Sequence, residues 1–183
     1  METDFKQIGE QLKNGATLLY PTDTIWGLGC DATNEEACQR ISKIKNRPSD
    51  KSFIVLVDGF QMLEKYVPDF HPICYDLADN LLTIIYPSAR GLAPSVLAED
   101  GSVGIRITKD PICLSLIREL RKPIVSTSAN KSGEKSPSSF SDVSSKIKEE
   151  VDIIVQQRLN ETMNKASQVI KVNLDGTFKI LRK

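Results

Sequence analysis

Hydrophobic and polar positions along this chain switch repeatedly between a helical and a strand period. Phe5, Ile8 and Leu12 recur at three- and four-residue spacing, which places them on one face of a helix starting at Thr3 or Asp4 and stopped by Gly15. Residues 17–20 form an apolar run and are predicted as a strand. The run breaks into a hydroxyl- and glycine-rich stretch, Thr22-Asp23-Thr24-Ile25-Trp26-Gly27-Leu28-Gly29, read as a turn. Thr33 followed by Glu36 has the spacing of a capping box. It opens a helix with Ala37, Ile41 and Ile44 facing inward, which Pro48 helps to end. Residues 52–57 are a continuous apolar run with β-branched members, the mark of a buried strand.

The remainder predicts helices over residues 60–66 and 72–82 and strands over residues 83–86 and 103–108, the latter alternating as VGIRIT. Asp110 followed by Pro111 is an N-cap with proline at the first helical position, opening a helix to about Leu120. Residues 123–127 form another buried strand, ending in Ser126-Thr127-Ser128-Ala129-Asn130. A Ser-rich loop over residues 131–141, a helix over 142–150 and three short strands, 153–156, 168–172 and 177–181, complete the chain. No internal repeat or linker divides it. One domain over residues 1–183 is expected, of α/β class, with a twisted open sheet of mixed parallel and antiparallel strands flanked by helices.

Composition narrows the function. The chain has 183 residues, enough for a sizeable core. Its 24 basic and 24 acidic side chains cancel, so no global field draws it to nucleic acid or membrane. Local polarity survives: Arg40, Lys43, Lys45, Arg47 and Lys51 fall in one stretch whose sole acid is Asp50. Such a run is either a solvated helix face or a seat for a polyanion. The amino terminus lacks an apolar signal core, and no stretch reaches transmembrane length, so a cytoplasmic protein is expected. Four cysteines without a CxxC pair, and a single histidine, His71, argue against a Cys/His zinc site or a Cys–His nucleophile. His71, just before Pro72, reads as structural or exposed.

Familiar nucleotide and hydrolase signatures are missing. There is no Walker-type P-loop, no GxGxxG and no GxSxG elbow, so an ordinary P-loop ATPase, a dinucleotide-binding protein and a serine hydrolase are all disfavoured. What remains is a set of hydroxyls and cations. Thr22 and Thr24 follow one strand; Ser126, Ser128 and Asn130 follow another; the Lys/Arg cluster precedes a third. Backbone N–H groups, hydroxyls and positive charge are thereby expected at the ends of two neighbouring strands, in a large concave basic cavity able to hold a nucleoside triphosphate. Arg106 lies within an otherwise apolar strand and must be paired. Two readings stand: a salt bridge to an internal acid, or reception of a ligand carboxylate, which suits its planar fork.

Three segments together resemble the YrdC/Sua5 family: YPTDT-x-WGLG at Tyr20 to Gly29, Lys45-x-Arg47-Pro48, and Ser128-x-Asn130 after a buried strand. The resemblance runs from about Lys6 to Lys183 and is to the short, YrdC-like form. It implies a nucleotidyltransferase that converts L-threonine, bicarbonate and ATP to threonylcarbamoyl-AMP and pyrophosphate, for threonylcarbamoyladenosine modification of tRNA. Carried onto this chain, it assigns Lys45 and Arg47 to catalysis at the triphosphate. Arg47, Lys51, Ser102, Ser128, Asn130, Ser136 and Arg182 become ATP-binding, and Thr24, Arg106, Ser126 and Ser167 threonine-binding. Magnesium is expected with ATP, without a dedicated protein cage. Implied partners are tRNA or double-stranded RNA and the proteins of a threonylcarbamoyl-transfer complex. A non-catalytic double-stranded RNA or tRNA-binding module using the same surface is the alternative, and a domain acting on another carbamoyl compound is a third reading. The chain departs from the family at Leu56, where some relatives place histidine. It departs again at Tyr86-Pro87-Ser88-Ala89, and in Gln156-Gln157-Arg158-Leu159-Asn160 leading to Ser167-Gln168.

Overall fold

The computed structural model describes residues 3–47, 52–78, 81–163 and 165–183. Helix α1 (Phe5–Lys13) is capped by Asp4, whose side chain accepts from the Gln7 N–H. Strand β1 (Leu18–Tyr20) turns back directly into β2 (Gly27–Gly29). Helix α2 (Glu35–Lys45) follows, then β3 (Ile54–Val57), α3 (Phe60–Tyr66), α4 (Ile73–Leu77) and β4 (Leu82–Tyr86). Next come β5 (Val103–Ile107), α5 (Pro111–Leu120), β6 (Ile124–Ser128), α6 (Ser145–Glu150), β7 (Ile153–Ile154), β8 (Gln168–Val172) and β9 (Phe178–Arg182). The described strands form one sheet in the order β7-β1-β2-β6-β3-β5-β4-β8-β9. Pairs β1–β7, β3–β5 and β4–β8 are parallel and the others antiparallel, the mixed α/β sheet expected.

The two faces of the sheet are covered unequally, and that inequality makes the site. One face presents Leu19, Leu28, Val55, Val57, Ile84, Val103, Ile105 and Val125 to a core that includes Ala37, Cys38, Ile41, Leu63 and Ile147 from helices α2, α3 and α6. The opposite face is covered only at one end. There Leu18, Tyr20, Leu56 and Ile124 pack with Ile8 and Leu12 of α1 and with Ile112, Leu116, Ile117 and Leu120 of α5. Side chains alternate along a strand, so the register continues this second face through Gly27, Ser126, Ser128, Ile54, Gly104, Arg106 and Arg182. No described helix belongs to the core beneath them.

Several local expectations are corrected. Gly27-Leu28-Gly29 is a strand rather than part of a turn. A Cβ at Gly29 would stand 2.5 Å from the Val125 carbonyl oxygen and 2.8 Å from the Tyr20 ring. The bare backbone lets Tyr20 reach across and donate its hydroxyl to Val125 O at 3.0 Å. The cap of α2 is Asn34, not Thr33: Asn34 Oδ1 accepts from Ala37 N, while Thr33 is held by the Asp31 carboxylate. Glu35, in that first turn, accepts from Ser95. Helix α2 stops at Lys45 because Asn46 takes the left-handed conformation, φ +49°. Pro48, expected to help, lies outside the described residues. The helix expected over residues 72–82 is only the short α4, since Leu82 already pairs with β8. Finally, β1 and β3 are not neighbours. Strands β2 and β6 lie between them, so the Thr22–Thr24 turn and the end of α2 meet across four strands rather than two.

Candidate active site

At the uncovered end of the second sheet face lies a cavity of about 200 Å³. It is lined by Thr24, Ile25, Gly27, Arg47, Ser52, Ile54, Arg106, Ser126, Thr127, Ser128, Ser136, Ala166, Ser167 and Arg182. Three arginines and a set of hydroxyls therefore converge from β1–β2, the segment after α2, β5, β6, the Ser-rich loop, and the approach to β8 and β9. No carboxylate lines it among the described residues.

Arg106 is the deepest of these cations, 2% exposed. Its Nη2 donates to Asp23 Oδ1 at 2.8 Å, whereas its Nε is buried without a hydrogen-bond partner. Both readings of Arg106 thus hold in part: it is ion-paired internally, yet its guanidinium lines the cavity and is not saturated. Asp23 stands on the Thr22–Ile25 turn. Thr22 Oγ1 accepts from the Thr24 and Ile25 N–H groups, fixing that turn in the manner of a side-chain-closed loop. Burial raises the pKa of Asp23, against the pull of Arg106. Arg182 Nε donates to Ser167 O at 2.9 Å and its Nη2 to Ser167 Oγ at 3.1 Å, and Ser167 Oγ lies 2.9 Å from Thr83 Oγ1. Burial and the nearby charge of Arg106 lower the pKa of Arg182. Two like charges held this close are relieved by an anion between them. Arg47 Nη2 donates to Ser52 O at 2.5 Å, and its guanidinium lies over the Phe53 ring, 5.0 Å from the centroid.

Eight of the residues assigned by resemblance therefore share this one wall: Thr24, Arg47, Arg106, Ser126, Ser128, Ser136, Ser167 and Arg182. Four do not. Lys45, expected at the triphosphate, is buried and donates from Nζ to Ser128 O at 2.5 Å and Asn130 O at 2.7 Å. Its ammonium closes the end of β6 onto α2 instead of facing the cavity. Burial, helped by the charges of Arg47 and Lys131, brings its pKa down to about 7. Asn130 also turns away from the cavity: its Nδ2 donates to Lys131 O and Glu134 O, knotting the loop, and its Oδ1 is buried without a partner. Ser102 closes the turn before β5, its N–H donating to Asp100 Oδ1, and does not line the cavity. Lys51 lies outside the described residues.

The cation cluster is divided in the same way. Arg40 pairs with Asp152 at 2.8 Å, Lys45 is buried, and Arg47 alone of the described members reaches the cavity. Asp23 was read only as a turn former. Its role as the partner of Arg106 depends on a contact 83 residues away in sequence, for which the chain carries no local signal. Ile25, Ile54 and Ala166, the apolar part of the wall, were also missed, because apolar residues at strand ends look like core.

Comparison with known proteins gives the same placement. The Sua5/YciO/YrdC family, described as telomere recombination, matches residues 10–183. This chain belongs to that family. Relatives named threonylcarbamoyl-AMP synthase include one from Pseudoalteromonas translucida, 33% identical over 171 residues covering 90% of each chain. Another, from Vibrio vulnificus, is 30% identical over 168 residues, covering 88% of this chain and 90% of its own. Among solved structures, P. abyssi Sua5 complexed with L-threonine aligns with a TM-score of 0.84 and 26% identity, over 97% of this chain and 53% of that one. The chain thus spans about half the length of that Sua5. E. coli YciO shares the fold, with a TM-score of 0.84 over 98% of this chain and 88% of its own, at 22% identity. Membership of this Sua5/YciO/YrdC family, with relatives bearing a synthase name, marks an enzyme of the transferase kind. Among the described residues no helix is long and apolar enough to cross a membrane.

Proposed function

We propose that the protein is an L-threonylcarbamoyladenylate synthase, a nucleotidyltransferase that joins threonine, bicarbonate and ATP and releases pyrophosphate. One observation carries this reading: Arg47, Arg106 and Arg182 converge with five hydroxyl side chains on one cavity that no described carboxylate lines. Such a wall suits two anions that would otherwise repel each other. The threonine amine adds to bicarbonate with loss of water and gives a carbamate. A carbamate oxygen then attacks the α-phosphorus, the bond to the β-phosphate oxygen breaks, and pyrophosphate leaves. No protein nucleophile is required, only alignment and neutralisation of phosphate charge.

In this reading Arg106, held by Asp23, receives the threonine carboxylate, with Thr24, Ser126 and Ser167 around the small zwitterion. Arg47 and Arg182 face the phosphates, with Ser128 and Ser136 beside them. Lys45 serves by shaping the β6 exit rather than by touching nucleotide. Hydroxyls make a poor cage for a divalent ion, which prefers carboxylates and phosphates, so magnesium would arrive as part of the nucleotide substrate. The test is pyrophosphate release from ATP with threonine and bicarbonate supplied separately and together. Release that needs both supports the assignment; equal release without threonine overturns it.

A further inference from the structure

Behind Arg106 lies a buried chain of charges that the reaction itself does not use. Asp23 Oδ1 holds Arg106, and Asp23 Oδ2 accepts from Thr108 Oγ1 at 3.3 Å. Thr108 Oγ1 in turn accepts from Asp110 N at 3.2 Å. Asp110 Oδ1 caps α5, accepting from Ile112 N and Cys113 N. Its other oxygen, Oδ2, is met by Arg158 Nη1 at 2.5 Å. The Asp110 side chain is 3% exposed and that of Arg158 23%. Two carboxylates thus flank one threonine hydroxyl, each with its own arginine. Arg158 takes a left-handed backbone, φ +53°, which costs an L-residue about 1–2 kcal/mol relative to glycine. An arginine kept at such a position points to a contribution from its side chain.

We infer that Arg158 is a positioning residue for the amino-acid subsite: by occupying Asp110 it leaves Asp23 ionised and free to fix the guanidinium of Arg106. This rests on the threonine-binding role proposed for Arg106. The groups facing Asp23 are Arg106 from β5, Asp110 and Cys113 from α5, and Tyr20 from β1. Burial pushes Tyr20 and Cys113 well up, so neither carries charge near neutrality. Asp110 is therefore the one negative neighbour, and its charge already adds to the upward pull on Asp23. Removing Arg158 leaves that charge unbalanced. Asp23 then takes up a proton at higher pH, and Arg106 loses its anchor as pH falls.

The experiment is the KM for threonine, the KM for ATP and kcat for wild type, Arg158→Met, Arg158→Lys, Asp110→Asn and the double variant Arg158→Met/Asp110→Asn. Arg158→Met is expected to raise the threonine KM about tenfold near pH 6, the effect of one pK unit, and to approach wild type near pH 8.5. The KM for ATP should change little. Arg158→Lys, which keeps the charge, should stay near wild type, and Asp110→Asn in the Arg158→Met background should restore the threonine KM. Loss that is equal at every pH and not relieved by Asp110→Asn overturns the inference. Should Arg158→Met fail to fold, Asp110→Asn alone decides, because its amide oxygen still caps α5. It is expected to carry the flat part of the threonine profile to lower pH, and a profile unchanged from wild type overturns the inference. A wild-type protein with no threonine-dependent turnover would instead remove the functional reading on which Arg158 depends.

Discussion

At the scale of single residues, the site is governed by where positive charge is tied down and where it is left available. Arg106 is anchored by one contact to Asp23 and retains an unsaturated guanidinium. A lysine there would keep the charge but lose the fork that meets a carboxylate with two bonds. Arg106→Lys is therefore expected to raise the threonine KM by about one to two orders of magnitude, while the KM for ATP moves much less. Steady-state pyrophosphate assays at saturating levels of the other substrate measure both. Lys45 is the opposite case, with its ammonium bound to two backbone carbonyls. Lys45→Met would strand these acceptors at a cost of about 1–3 kcal/mol, read as a lower midpoint in urea. The Lys-x-Arg spacing was legible in the sequence, but the division of labour between its two members was not. Whether a lysine at a helix end points toward ligand or toward backbone depends on where β6 ends, and nothing within α2 encodes that.

At the scale of elements, the sequence was most legible where periodicity and caps act locally. Helices α1, α3 and α5 and strands β3, β5, β6 and β8 follow their hydrophobic patterns, and Asp110-Pro111 caps α5 as expected. Strand β2 was not legible. Its two glycines, the usual sign of a turn, are there because a neighbouring tyrosine and carbonyl leave no room for a Cβ. Gly29→Ala should test this directly. Its methyl group would collide with Val125 O and the Tyr20 ring, so a loss of about 1–3 kcal/mol is expected, the usual cost of overpacking. Chemical denaturation measures it, and stability equal to wild type would refute the close-approach explanation. A similar constraint joins α1 to α5, where a Cβ on Gly9 would lie 2.6 Å from Glu119 Cβ. These helices cover one end of the second sheet face and so define where the open cavity begins.

At the scale of the molecule, the cavity exists because one sheet face is covered by helices and the other only in part. Strand–helix alternation indicated an α/β class, but strand order is set by long-range pairing, and β2 and β6 enter between β1 and β3 without a local signal. That order brings residues 24, 47, 106, 128 and 182 to one hollow. Losing one of the phosphate-facing cations should then affect the nucleotide more than the amino acid. Arg47→Ala is expected to abolish detectable turnover while threonine still binds, as measured by calorimetry; turnover near wild type would refute its role.

The most direct measurement is a crystal structure with L-threonine and a non-hydrolysable ATP analogue bound together. The expected result is a threonine carboxylate within hydrogen-bonding distance of the Arg106 guanidinium, with the triphosphate between Arg47 and the hydroxyls of Ser128 and Ser136. Ligands seated elsewhere, with this hollow empty at saturating concentrations, would contradict it.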